Sequence, residues 1–227
     1  MPITRDDLLH DRLREHLRQE IAAGEPHDML DEAQFEASRA RILEEMSGCD
    51  ELWIFAYGSL IWNPTFEYDR CEVATLPGLA RRFCLWAWRG RGSPERPGLW
   101  LGLDEGDSCT GMAFRVPDAA RDLETLMLWR REMGSGAYVP VVLPVRIGQT
   151  MKPCICLRAN HQHRRYAGVM PTERIVEAIA TASGHLGTCR EYLFNLVDKL
   201  ASVGVSDPEL DVLVRAVNDW PKAASRD

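Results

Sequence analysis

At 227 residues, 45% hydrophobic and 27% charged, the chain has the balance of an ordinary globular protein, long enough for one domain and an appendage. Its formal charge of −7 resides in residues 1–50, which hold 13 acidic and 6 basic side chains; residues 51–227 hold 21 of each, so no nucleic-acid surface is expected. No apolar run approaches the roughly 20 residues of a membrane crossing, the acidic N-terminus is unlike a secretory signal, and seven scattered cysteines fit reduced thiols in the cytoplasm.

Thr4-Arg5-Asp6-Asp7 reads as a helix start, with Thr4 as cap and an acid three residues on. Leu9, Leu13, Leu17 and Ile21 then form a helical stripe that Gly24-Glu25-Pro26 stops. A second helix is expected over about 31–46, with Phe35, Ile42, Leu43 and Met46 inward. Residues 1–48 are therefore expected to be a packed helical extension, an oligomer contact or regulatory arm being the alternative, and 49–222 a second domain. Trp53 to Ala56 is a short β-branched and aromatic run, a buried strand. It runs into Tyr57-Gly58-Ser59-Leu60, where a glycine can take unusual backbone angles and successive N–H groups can cup an oxyanion.

Asn63-Pro64-Thr65 breaks the chain. Strands are expected over 71–75, 79–88, 99–103 and 109–116. The segment 89–98, rich in glycine, proline and arginine, reads as a surface loop able to meet a carboxylate. Pro117-Asp118 opens a helix that ends near Glu132, with Gly134 and Gly136 beyond it. Strands resume over 138–147 and 152–158, Pro140 and Pro144 favouring an edge or bulge. Cys154-Ile155-Cys156 and His161-Gln162-His163 both lack a further ligand pair, so the first reads as core, the second as a solvated loop, and no metal is expected. Helices fill 171–182, 189–203 and a segment opened by Asp207-Pro208. Strands first and helices later make the fold class α+β.

Four blocks carry a family resemblance: Phe55-Ala56-Tyr57-Gly58-Ser59-Leu60-Ile61-Trp62; Arg91 to Gly98; Trp129-Arg130-Arg131-Glu132 with Gly134, Gly136 and Tyr138; and Gly187 to Leu193. Together, across about 51–220, they resemble the ChaC-type γ-glutamylcyclotransferases, the glutathione-degrading branch of their superfamily. The resemblance implies a small distorted β-barrel with flanking helices, here with the N-terminal helical extension added. It implies cleavage of reduced glutathione to 5-oxoproline and cysteinylglycine, with no cofactor and no partner beyond that substrate. Oligomeric state stays open.

In that reaction the α-amine of the γ-glutamyl group attacks its own side-chain carbonyl. The protein must hold the substrate curled, move a proton and stabilise an oxyanion. The resemblance assigns the proton to Glu132, which burial would have to make a better base; a surface glutamate paired with Arg130 or Arg131 is the plainer reading. It puts substrate against Ile54, Phe55, Ala56, Tyr57, Gly58, Ser59 and Leu60, with Tyr138 beside them. Family members commonly read Glu-x-Gly-Gly-Tyr, whereas this chain spreads its glycines, which leaves the role of Tyr138 open. Ser59 lacks a nucleophile elbow and a His/Asp pair, so it reads as a positioning hydroxyl. The alternatives are a cyclotransferase for other γ-glutamyl peptides or amines, and a non-catalytic binding module.

Overall fold

The computed structural model describes residues 3–22 and 28–221. Its helices are α1 (Arg5–Leu9), α2 (Arg12–Ala22), α3 (Glu32–Glu45), α4 (Arg121–Glu132), α5 (Thr172–Thr181), α6 (Cys189–Ser202) and α7 (Pro208–Asp219). Its main strands are β1 (Leu52–Ala56), β2 (Arg70–Ala87), β3 (Gly98–Val116), β4 (Tyr138–Ile147) and β5 (Thr150–Ala159). They close a barrel in the order β1-β3-β2-β4-β5, the α+β architecture the sequence implies. The chain divides into two compact units, one from residues 3–82 and 102–166, the other from 83–101 and 167–221.

The first unit holds β1 and α1 to α4. Every residue of β1 is buried, because it pairs on both sides, antiparallel to β3 from Leu52–Val116 to Ala56–Met112 and parallel to β5 at Trp53–Cys154 and Ile54–Ile155. A strand covered on all sides reads as an unbroken apolar run, and each large side chain it buries contributes roughly 1.5–3 kcal/mol. Gly111 faces the end of β1, where a Cβ would stand 2.2 Å from the Ala56 carbonyl oxygen. Cys154 and Cys156 lie in this core, and burial pushes the Cys154 thiol up to about 12. The second unit packs α5, α6 and α7 against one another, with Tyr192 meeting Phe83 and Trp100 edge-on at 6.0 and 5.2 Å. Within it, the Arg91 guanidinium donates to the Thr188 carbonyl at 3.0 Å, and its neighbouring carboxylate is the protein's own Glu191.

Several expectations need correcting. The N-terminal stripe is broken at Asp11, whose φ of +52° separates α1 from α2. The break shifts the helical phase, so Leu8 is buried and Leu9 is 42% exposed. The expected stop at 24–26 lies outside the described residues. The four strands over 71–116 are two long ones, because the chain stays in strand through Pro77-Gly78 and through Gly106. Pro140 and Pro144 do fit an edge: among the described residues β4 pairs with β2 at Arg146 and Ile147, at the far end of the strand.

Barrel closure is reinforced at Glu51, just before β1. Its carboxylate accepts from Arg70 at 2.7 Å, Arg115 at 3.2 Å, the Trp53 indole at 3.0 Å and Lys152, so it ties β2, β3 and β5 to β1. These partners, Lys152 first and Trp53 next, hold it down to about 2. A depressed carboxylate stabilises the fold above its unfolded value, and that stability is lost as pH falls through the folded one. Glu51→Gln is therefore expected to lower the melting temperature at pH 7 and to flatten the loss between about pH 4.5 and 2, measured by thermal melts across that range. An unchanged acid slope in the variant would contradict this role.

Candidate active site

The stretch that leaves β1 is fixed at Tyr57. Its phenol donates to the Leu157 carbonyl at 2.8 Å, and its own carbonyl accepts from Arg81 at 2.8 Å. Arg81 is 3% exposed and also donates to the Thr110 carbonyl. Buried carbonyls on both sides of one guanidinium lock the backbone where the strand ends. The chain then makes a 3₁₀ turn over Ser59–Ile61. The turn's own bonds use the N–H groups of Ile61, Trp62 and Asn63 and leave those of Gly58, Ser59 and Leu60 outside it. Gly58 has φ −138° and ψ −134°, outside the usual β and helical regions, the kind of backbone a glycine can take.

α4 ends at Glu132. Asp122 and Glu124 stand in its first turn and Arg130 and Arg131 in its last, matching the helix dipole. Its buried face carries Glu124, Thr125, Met127, Leu128 and Trp129. At its end the side chains of Arg131 and Glu132 are 4% and 16% exposed. One guanidinium connects the pieces: Arg131 donates from Nε to Glu132 at 2.8 Å and from its two terminal nitrogens to Ser59 Oγ at 3.1 Å, to Thr65 Oγ1 at 3.1 Å and to the Asn63 carbonyl. Glu132 does pair with Arg131, as the plainer reading had it, yet it is largely buried and sits beside the turn.

Thr65 has φ +61°, an outlier for a β-branched residue, at a cost of order 1–3 kcal/mol. The contacts that hold it are the Arg131 bond to its hydroxyl and a bond from Arg5 to its carbonyl at 3.2 Å. Of the other expected residues, Ile54, Phe55 and Ala56 are at most 1% exposed, so their side chains belong to the core. Tyr57, Leu60 and Ser59 line the end of β1 and the turn, and Tyr138 is half-buried at the start of β4. Sequence reasoning missed Arg81, the Asn63–Thr65 segment and the bridging role of Arg131. Arg131 was visible only as a neighbour of Glu132, and a strained threonine leaves no mark in composition.

The histidine loop is more engaged than a solvated one. His161 Nε2 lies 2.8 Å from Asp104, which also accepts from Tyr166 at 2.7 Å, and His163 Nε2 lies 3.0 Å from the Ser135 carbonyl. The two rings therefore serve different partners. Among the described residues no group of three His, Cys, Asp or Glu side chains is arranged to hold a metal ion, and no helix is long and apolar enough to cross a membrane.

Residues 52–220 match the family described as ChaC-like protein. The glutathione-specific γ-glutamylcyclotransferase of Escherichia coli (strain K12) is 39% identical over 168 residues, which cover 73% of this chain and 72% of that protein. Glutathione-specific γ-glutamylcyclotransferase 1 of Danio rerio is 34% identical, over 73% of this chain and 88% of its own. The solved structure of a γ-glutamyl cyclotransferase specific to glutathione from yeast shares the fold, with a TM-score of 0.69 at 20% identity over 75% of this chain and 96% of that one. The matched residues take in the turn, α4 and the barrel, and begin after the N-terminal helices. By that match and those identities, the chain belongs to the ChaC-like family.

Proposed function

We propose that the protein degrades reduced glutathione to 5-oxoproline and cysteinylglycine, with Glu132 as general acid and base. The observation that carries this reading is the Arg131 bridge, which links Glu132 to a turn whose own bonds leave three amides unused. The substrate's γ-glutamyl group would lie on Tyr57 to Leu60. Glu132 takes a proton from the α-ammonium, and the freed amine attacks the γ-carbonyl carbon. The N–H groups of Gly58, Ser59 and Leu60 receive the oxyanion. When it collapses, the carbon–nitrogen bond to cysteine breaks, and Glu132 returns a proton to the departing nitrogen. The α-nitrogen gives up two protons in all and the cysteinyl nitrogen gains two, so no water or oxidant enters.

Ser59 is bonded to Arg131, which suits a positioning hydroxyl rather than a nucleophile. Tyr138, at the start of β4 just past the loop that follows Glu132, would border the substrate. Residues 49–222 would form the catalytic domain and 1–48 an extension to it. The seven cysteines, none of them in a disulfide, fit a reducing compartment such as the cytoplasm, where glutathione is mostly a thiol.

Glu132→Gln is expected to lower 5-oxoproline release from glutathione by about a hundredfold or more, with the melting temperature held. Turnover at the parent rate would refute the mechanism. Oxidised glutathione should react at less than about a tenth of the rate of the reduced form, since a pocket closed round one tripeptide excludes a linked pair; equal rates would contradict this. A panel of other γ-glutamyl donors, assayed the same way, separates a glutathione enzyme from a general cyclotransferase.

A further inference from the structure

The N-terminal extension, which lies outside the matched residues, is bonded to the same segment that seats Arg131. Arg5 makes a two-pronged pair with Glu124, at 2.6 and 2.7 Å. Glu124 is fully buried and sits two turns before Arg131 on the same face of α4. Its carboxylate also accepts from the Glu67 amide at 2.8 Å. Arg5 reaches on to the Thr65 carbonyl, and the Asn63 side chain donates to the Ile3 carbonyl at 2.9 Å. The segment from Asn63 to Glu67 is thus held from below by Glu124 and Arg131 and from the arm by Ile3 and Arg5.

Two further contacts reach the end of α4 and the loop after it. Arg130 donates to the Leu8 and Leu9 carbonyls at 2.8 and 2.9 Å. The Leu30 amide donates to the Gly134 carbonyl at 3.0 Å, and Leu30 packs so closely on Gly136 that a Cβ there would stand 2.9 Å from it. Glu132 lies between these two anchors.

We propose that the extension is a positioning element of the catalytic site: Arg5, through Glu124 and the Asn63–Glu67 segment, sets the orientation in which Arg131 presents Glu132 to the substrate. This rests on the assignment of Glu132 above. Arg5 touches no reacting atom, and its action is on geometry, where a displacement of about 1 Å can cost a hundredfold in rate. A brace of that kind lowers kcat and leaves KM nearly alone.

The test uses the full chain, glutathione as substrate and 5-oxoproline release as the readout, with melting temperature measured in parallel. Arg5→Met is expected to lower kcat by about ten- to a hundredfold, with KM within about threefold. It also strands the buried Glu124 charge, so its melting temperature falls. The double variant Arg5→Met/Glu124→Met replaces the ion pair, buried at its Glu124 end, by apolar groups, so that no buried charge is left unpaired. Its melting temperature is expected to recover toward the parent while kcat stays at least about tenfold down. A kcat that recovers together with the melting temperature overturns the proposal, because it makes the arm a stabiliser only. Arg12→Met, on the same arm but paired with Asp6 and Asp7, should keep the parent kcat; a loss as large as that of Arg5→Met would equally overturn it. Should the Arg5 variants fail to fold, Asn63→Ala, which cuts the tie to Ile3, carries the test, and a folded Asn63→Ala with the parent kcat refutes it. Glu132→Gln run alongside separates the two levels: if it is inactive and the arm variants are not, only this inference fails, whereas if it is active the assignment beneath it fails.

Discussion

A single guanidinium organises the site. Arg131 has more donors than any one partner can use, and its four bonds reach three pieces of chain: a hydroxyl on the turn after β1, a hydroxyl and a carbonyl on the 63–65 segment, and the carboxylate of Glu132. The planar fork fixes the angles between these partners, which a flexible ammonium would not. With that group nearly buried, the bonds are made in a setting where they are worth more than in water. Glu132 and the turn after β1 come from residues more than seventy apart in the chain, and this side chain bonds to both.

The surrounding structure holds the partners still. The barrel fixes Tyr57 through a phenol–carbonyl bond to β5 and an arginine on β2. Glu51 gathers three strands around β1 at the barrel's closure. The strained Thr65 persists because contacts on both its hydroxyl and its carbonyl determine its place. Rigidity of this kind suits a reaction whose nucleophile is already in the substrate, because what remains for the protein is to hold a curled conformer and move one proton at a time.

Much of this was legible in the sequence, and the reasons for the rest are physical. The buried strand, the turn, the helix ending at Glu132 and the capping of α1 by Thr4 all follow from local patterns. The family resemblance, carried by residues around the turn and Glu132, pointed to the fold, and it is the source of the role proposed for Glu132. Long-range pairings left no such mark. Arg81 and Glu124 look like ordinary charges on a strand and a helix, and only the packed structure reveals them as buried groups with distant partners. The phase slip at Asp11 was hidden because a regular leucine spacing suits one helix as well as two. Asn63-Pro64-Thr65 was read as a break, and it is in fact the seat of the bridge.

Everything proposed for Glu132 depends on where a curled γ-glutamyl group lies. A crystal structure of Glu132→Gln with glutathione bound measures this most directly. The γ-carbonyl oxygen is expected within hydrogen-bond distance of the Gly58, Ser59 and Leu60 amides, and the α-nitrogen beside the residue at position 132. A peptide lodged away from that turn, with its α-nitrogen out of reach of residue 132, would contradict it.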